Sequence, residues 1–400
     1  MLRHLLKRIW KRKTRNLMLS LEILLAFVIV FGIAAFGVRN YQLYRMPIGF
    51  QYQQVWAARI LVDSDKAGDT LPAAYEAMKH SLRELPEVEQ VAFSSHAPFR
   101  NSTTRTSVLM PATGKQLKVD LLQVSDEFFA VAGMTPQQGR WFSSVDDGAA
   151  STPVVVTRRM ADALFPGQDP LGKEFSDKPG GGTEATTYRI TALVGEFRNK
   201  GDLMTPANLM LVRFTPKPGE RDLHTIMLKV RPGTGREFEQ KLNTRLKAIR
   251  NDWSYEIAPL TDMRASILKE QTIPLIVLSV IAAFMLVMVA FGLFGVLWQN
   301  TTRRIPEIGL RRAVGASSAQ IYGQIIGEQI LLSSAAMLVA LALLVQLPVT
   351  GALGESLNWK VFAAATALSM AVIYLISLLC AAYPGWRASR LSPTEALHYE

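Results

Sequence analysis

Apolar residues in this chain gather into four long runs, Leu17–Val38, Ile273–Trp298, Ile321–Leu347 and Val361–Tyr383. A helix needs about 20 apolar residues to cross the hydrocarbon of a bilayer, and each run reaches that length. The stretch 39–271 between the first two runs is polar enough to be a folded domain of its own. Near its start, Ala57–Val62 reads as a strand, Pro72–Leu85 as a helix and Val88–Ser94 as a strand. Near its end, Thr225–Val230, Arg236–Arg250 and Trp253–Pro259 repeat that β-α-β order, with Phe238, Leu242, Leu246 and Ile249 on one helical face. The pattern predicts four transmembrane α-helices and a large α+β domain between spans one and two. Two β-α-β units would form one mixed sheet, and a β-rich subdomain would be inserted at about residues 100–222. Pro274, at the start of the second span, suits a first helical turn where a helix at Met263–Gln271 joins the span.

Composition alone, 49% hydrophobic over 400 residues, would fit a soluble two-domain protein as well. Distribution decides against it. The net charge of +11 would suggest nucleic acid until it is mapped. Residues 1–16 carry Arg3, Lys7, Arg8, Lys11, Arg12, Lys13 and Arg15 with no acid, and the loop 299–320 adds Arg303, Arg304, Arg311 and Arg312 against Glu307. An excess at these ends follows the positive-inside rule, so both termini and that loop are expected in the cytoplasm and 39–271 outside. A membrane location with no nucleic-acid partner is expected. The first apolar run is longer than a signal-peptide core, so it reads as an uncleaved anchor. The basic helix before it, with Leu5, Leu6, Ile9 and Trp10 on one face, is expected to lie on anionic membrane lipids.

Chemistry is sparse. His4, His80, His96, His224 and His398 are scattered without metal-ligand spacing, and no G-x-S-x-G occurs. Gly167-x4-Gly172-Lys173 imitates a phosphate-binding loop, but Glu174 stands where Ser or Thr would ligate magnesium, and the prolines 166 and 170 make a turn. No catalytic, metal or cofactor residues are assigned, and the only cysteine, Cys380, falls in the fourth run. Charges inside spans are costly and usually face a partner or cavity. Glu22 is expected to reach back toward Arg15 or the headgroups. Glu328 would tie the base of the third span to the arginine loop, act in gating, or touch substrate. Gly292, Gly295, Gly323, Gly327, Ala335 and Ala336 permit close helix approach, within one subunit or across a dimer seam.

The segment Arg303–Ala316 reads as a small amphipathic element, with Ile308 and Val314 on one side and Glu307, Arg311 and Arg312 mostly on the other. It resembles the cytoplasmic coupling segment of the MacB/FtsX-like permeases: an acid, Ile-Gly, two arginines, Ala and Gly-Ala. In the outer domain the order Ser125-Asp126-Glu127-Phe128-Phe129, Gly139-Arg140, Leu164-Phe165-Pro166-Gly167 through Gly172-Lys173, and Val194-Gly195-Glu196-Phe197-Arg198 is similar to the MacB-type periplasmic domain. The tail 384–400, with Leu391-Ser392-Pro393-Thr394-Glu395-Ala396-Leu397, is like that family's ending and would contact the ATPase or cap the bundle. Pro306 departs from the pattern and predicts a new or kinked helix there.

The resemblance implies a permease subunit, not an enzyme, dimeric with itself or a related permease. A separate ABC ATPase would bind the ATP and dock on Glu307, Ile308, Gly309, Arg311, Arg312 and Gly315. It also implies transmission of motion to the outer domain and export of a peptide, drug or lipid-linked substrate through a periplasmic adaptor and outer-membrane channel. Lipoprotein extraction, and a scaffold regulating a cell-wall hydrolase, are the alternatives.

Overall fold

The computed structural model describes residues 13–61, 71–177, 185–214 and 225–390. The amphipathic stretch 1–12, the end of the insertion near residue 222 and the tail from residue 391 lie outside them. In chain order, helix α1 (Lys13–Arg45) is followed by β1 (Val55–Leu61), α2 (Leu71–Arg83), β2 (Val88–Ser94), β3 (Thr104–Leu109), β4 (Gln116–Val124) and β5 (Gln138–Gly139). Next come β6 (Thr152–Thr157), α3 (Arg158–Leu164), β7 (Glu174–Ser176), β8 (Thr187–Val194), β9 (Leu209–Arg213), β10 (Thr225–Val230), α4 (Glu237–Ile249) and β11 (Ser254–Pro259). Helices α5 (Leu260–Thr302), α6 (Ile305–Ala313), α7 (Ser318–Leu344) and α8 (Trp359–Arg390) complete the chain. Two compact units emerge: Leu43–Gln271, and Met1–Gln42 with Thr272–Glu400.

In the outer unit the two β-α-β units interleave. Strand order runs β11-β1-β10-β2, every neighbouring pair antiparallel, so each unit's two strands are parallel but separated by a strand of the other. Alternation along β1 explains the two faces. Trp56, Ala58 and Ile60 face α2 and α4 in one core, while Val55 and Ala57 join a second core on the other side. Helix α4 fits because Phe238, Leu242 and Leu246 recur at i, i+4, i+8, with Glu237 and Glu239 in its first turn and Lys247 in its last. The insertion is not a separate sheet. It continues the same one through β4, β9, β6, β8 and β5, with parallel pairs β4–β9 and β6–β8. Over Gly167–Lys173 the chain turns, with φ of +69° at Gly167 and +74° at Gly172. The ammonium of Lys173 lies 5.0 Å from the Phe165 ring centre.

An ion cluster holds the 140–146 turn. Arg140 donates to both carboxylate oxygens of the buried Asp146 at 2.8 and 2.6 Å, Ser143 N donates at 3.1 Å, and Arg189 stands 3.6 Å away. The Arg140 guanidinium holds the Asp146 carboxyl below the usual range. Stability from that pair is therefore fully present above the unfolded pKa of about 4 and is lost as pH falls through the lower folded value. Asp146→Asn should lower stability by about 1 kcal/mol near neutral pH, a figure kept small because Arg140 is half exposed. It should also flatten the acid limb of a melting-temperature series; an unchanged limb would refute the assignment.

In the other unit, α1, α5, α7 and α8 are long and apolar enough to cross a membrane. Their shared core includes Ile23, Phe27, Leu293, Met337, Ala340 and Phe362. Polar groups join α7 to α8 inside it: Gln329 donates to Ser333 at 3.3 Å, and Ser333 and Ser377 share a hydrogen bond of 2.9 Å. Pro274 does not open a helix. It lies inside the continuous α5, where its missing N–H and ring are tolerated at the expense of one backbone bond.

Candidate coupling sites

The chain between α5 and α7 is punctuated by residue types that stop and start helices. Pro306 occupies the first turn of α6, where an amide hydrogen would have no partner in any case. Gly315 ends the element with φ +102°, a conformation that favours glycine, and its N–H returns to Arg312 O at 3.1 Å. Helix α7 then begins with a reciprocal cap: Ser317 Oγ accepts from Gln320 N at 3.2 Å, and Gln320 Oε1 accepts from Ser317 N at 3.0 Å.

The inner face of α6 is fastened to the bundle. Ile308 packs with Ile321 of α7 and Ala388 of α8, and Gly309 is buried. Arg311 bridges Glu307 at 2.7 Å and Gln324 Oε1 at 2.6 Å, and Gln324 donates to Glu328 at 2.9 Å. Glu328 in turn pairs with Arg304. These groups line a crevice with Leu19 and Asn300 at the base of α1 and α5. Arg312 donates to Ser389 O at 2.6 Å. The two arginines are thus turned toward the bundle, not outward. Val314, expected beside Ile308, is instead 83% exposed: it lies one residue past α6, and a residue six positions on from Ile308 points to a different face. Leu310, which the sequence does not single out, is 61% exposed. Leu310, Val314 and the exposed Glu307 form the outer face.

Glu22 lies against Gly292 of α5. A Cβ at residue 292 would fall 2.2 Å from Glu22 Oε1, so the glycine creates the space that the carboxyl occupies. Gly323, Gly327 and Gly295 have open space where a side chain would stand, whereas Gly385 is packed on Tyr322.

Within the outer unit, Arg198 forms a second node. Its side chain is fully buried. The guanidinium donates to Leu43 O at 2.9 Å, Pro47 O at 3.2 Å, Asp202 O at 2.8 Å and Met204 O at 3.3 Å, and also to Met46 O. Of these acceptors, Leu43 lies in the last turn of α1 and Met46 and Pro47 just beyond it. Burial pushes the Arg198 pKa down, opposed by nearby Asp202 and Glu196. Asp202 itself receives a two-pronged pair from Arg264 of α5 at 2.8 and 2.9 Å, and Gln271 donates to Lys200 O at 3.1 Å. Gly49 completes the fit: its φ is +94°, and a Cβ there would come within 1.6 Å of Glu196 O. The short segment 196–204 therefore holds both the end of α1 and the first turns of α5. Among the described residues no cluster of three or more metal-ligating side chains occurs.

A four-helix membrane unit, a β-α-β domain inserted after its first helix and a short basic helix between the second and third define an ABC transporter permease architecture. Residues 17–244 match the MacB-like periplasmic core domain and residues 279–393 the FtsX-like permease C-terminal domain; the chain belongs to the MacB/FtsX-type permeases. It is 23% identical to the uncharacterized ABC transporter permease YknZ of Bacillus subtilis, over 100% of this chain and 98% of that protein. It is 24% identical to the macrolide export ATP-binding/permease protein MacB of Bdellovibrio bacteriovorus, over 72% of this chain and 45% of that protein, so it spans about half the length of such relatives. The solved periplasmic region of MacB from Actinobacillus actinomycetemcomitans aligns with a TM-score of 0.39 and 13% identity, over 56% of this chain and 97% of that one.

Proposed function

We propose that the chain is the membrane subunit of an exporter driven by a separate ABC ATPase, to which α6 presents its outer face. The carrying observation is the division of α6 into a fastened inner face and an outer face with Leu310 and Val314 exposed. Apolar side chains standing out beside arginines suit a protein groove better than water. Nucleotide closure in the ATPases would push on Glu307–Gly315 and, through the pinned arginines, on α7 and α8. In this reading the basic ends face the cytoplasm of a bacterial inner membrane, the ATP belongs to the partner, and the chain itself is no enzyme. Dimerisation, with a second copy or a related permease, is supported by α5: Ile276, Val277, Val280, Ile281 and Phe284 all stand exposed along one face of it. The MacB relatives are named for macrolide export, which favours outward movement of a drug-like cargo; the family resemblance extends this to a peptide or lipid-linked substrate and to an adaptor and outer-membrane channel.

The experiment is affinity purification in mild detergent with mass spectrometry of co-purifying proteins. Leu310→Asp with Val314→Asp should abolish recovery of an ATPase while leaving the melting temperature of the permease unchanged, because neither side chain is packed. Recovery of no ATPase with the unmodified chain, under conditions that preserve other complexes, would sink the proposal.

A further inference from the structure

One cluster is used neither by α6 nor by the bundle core. At the same end of the membrane unit, four rings form a continuous stack across α5 and α8. Trp298 and Tyr383 lie nearly parallel, 9° apart with centres 5.8 Å apart; Phe294 stacks on Trp298 at 6.1 Å, and Trp386 follows Tyr383 at 6.3 Å. Tyr383 is 52% and Trp386 47% exposed, so the stack is a surface feature. Two guanidiniums lie over it: Arg387 over Trp298 at 4.8 Å and Arg390 over Trp386 at 4.6 Å. No carboxylate among the described residues pairs with either arginine. Beside Arg387, a crevice opens between the end of α5 and α8, floored by Ile305, Pro384 and Ala388 and rimmed by Thr301.

We infer that this crevice and its aromatic stack bind the headgroup of an anionic phospholipid, an inference that rests on the membrane-spanning reading of the four helices. Three features select that ligand. A guanidinium stacked on a ring keeps its N–H edge free, and that edge matches two phosphate oxygens. Leu375, Leu379, Tyr383 and Arg387 follow at i, i+4 on one face of α8, so the surface grades from apolar through aromatic to cationic. At about 1.5 Å per residue, the twelve steps from Leu375 to Arg387 span roughly 18 Å, close to one leaflet of hydrocarbon plus its interface. An acyl chain laid along the exposed leucines, 59% and 65% accessible, would bring its phosphate to Arg387 and Arg390. A free soluble anion would use the arginines but not the leucines.

Native mass spectrometry of the full chain in a neutral detergent tests this. The probes are phosphatidylglycerol and phosphatidylcholine of identical acyl chains in equal amounts, and inorganic phosphate as a third arm. The unmodified chain should retain phosphatidylglycerol preferentially. Arg387→Gln should cut that preference about fivefold, and adding Arg390→Gln should erase it. Arg387→Lys keeps the charge but not the stacked fork, so its preference should fall between those of the unmodified chain and Arg387→Gln, which separates lost binding from lost folding. Equal retention of both lipids by the unmodified chain, an unchanged preference in Arg387→Gln, or complete displacement of the lipid by millimolar phosphate would each overturn the inference. Leu310→Asp with Val314→Asp should leave lipid preference intact, so failure of the ATPase proposal and failure of this one give different results.

Discussion

Arg198→Met should destabilise the protein by about 4 kcal/mol and lower the melting temperature of its outer unit by roughly 10 °C. The methionine fills much of the volume, so the loss comes from polarity and not from a cavity. Carbonyls of Leu43, Met46, Pro47, Asp202 and Met204 lose a shared donor that is itself fully buried; Leu43 and Asp202 are buried with it, while Met46 and Pro47 reach solvent. A buried acceptor left unmade carries a penalty of about 1–3 kcal/mol, and relaxation of the segment recovers only part of it. Arg198→Lys retains the charge but has no planar fork to span acceptors on opposite sides, so it should recover less than half of the loss. Melting of the full chain in detergent, followed by tryptophan fluorescence, is the measurement. Trp56, Trp141 and Trp253 report from buried sites of the outer unit. A melting temperature unchanged in Arg198→Met would remove the guanidinium from its proposed role.

Glu328→Ala should be the next most damaging change, at about 2 kcal/mol, and its effect should depend on Arg304. Both side chains are largely enclosed, 18% and 25% exposed, so removing the carboxylate strands a guanidinium in a poorly hydrated crevice. Gln324 loses an acceptor in the same step. The double variant Arg304→Ala/Glu328→Ala should be less destabilised than the sum of the single changes, since neither charge is then left alone. Strict additivity in the melting data would show that the pair contributes nothing beyond its separate members.

The elements of this fold are written locally and their partnerships are not. Runs of about 20 apolar residues announce four spans, and alternation announces the strands around the β-α-β units to within about two residues. What alternation cannot encode is which strand lies beside which. β1 and β2 accept β10 between them although 130 residues of chain separate β10 from β2. The same limit hid Arg198, whose motif was visible but whose acceptors at Leu43 and Pro47 lie about 150 positions earlier. The aromatic stack joins Trp298 to Tyr383 across two helices, and neither residue is unusual alone. The misplacement of Val314 has a different cause. Residues six apart on a helix stand about 120° from one another, so Ile308 and Val314 share no face even on an unbroken helix, whereas Leu310 and Val314, four apart, do. Leu310 was passed over because a single leucine among arginines carries no period.

The shortness of α6 has one more consequence. Nine residues are too few to hold a helix in water, where about 12–15 are needed even with favourable composition. Its helical form is therefore lent by the neighbours it rests on, through Ile308, Arg311 and Arg312. A force that loosens those attachments would unwind the element without disturbing the long helices on either side. Force and fold are thereby made reciprocal: α6 can be rigid while seated and yielding once lifted, with Gly315 and Pro306 setting the borders of what yields.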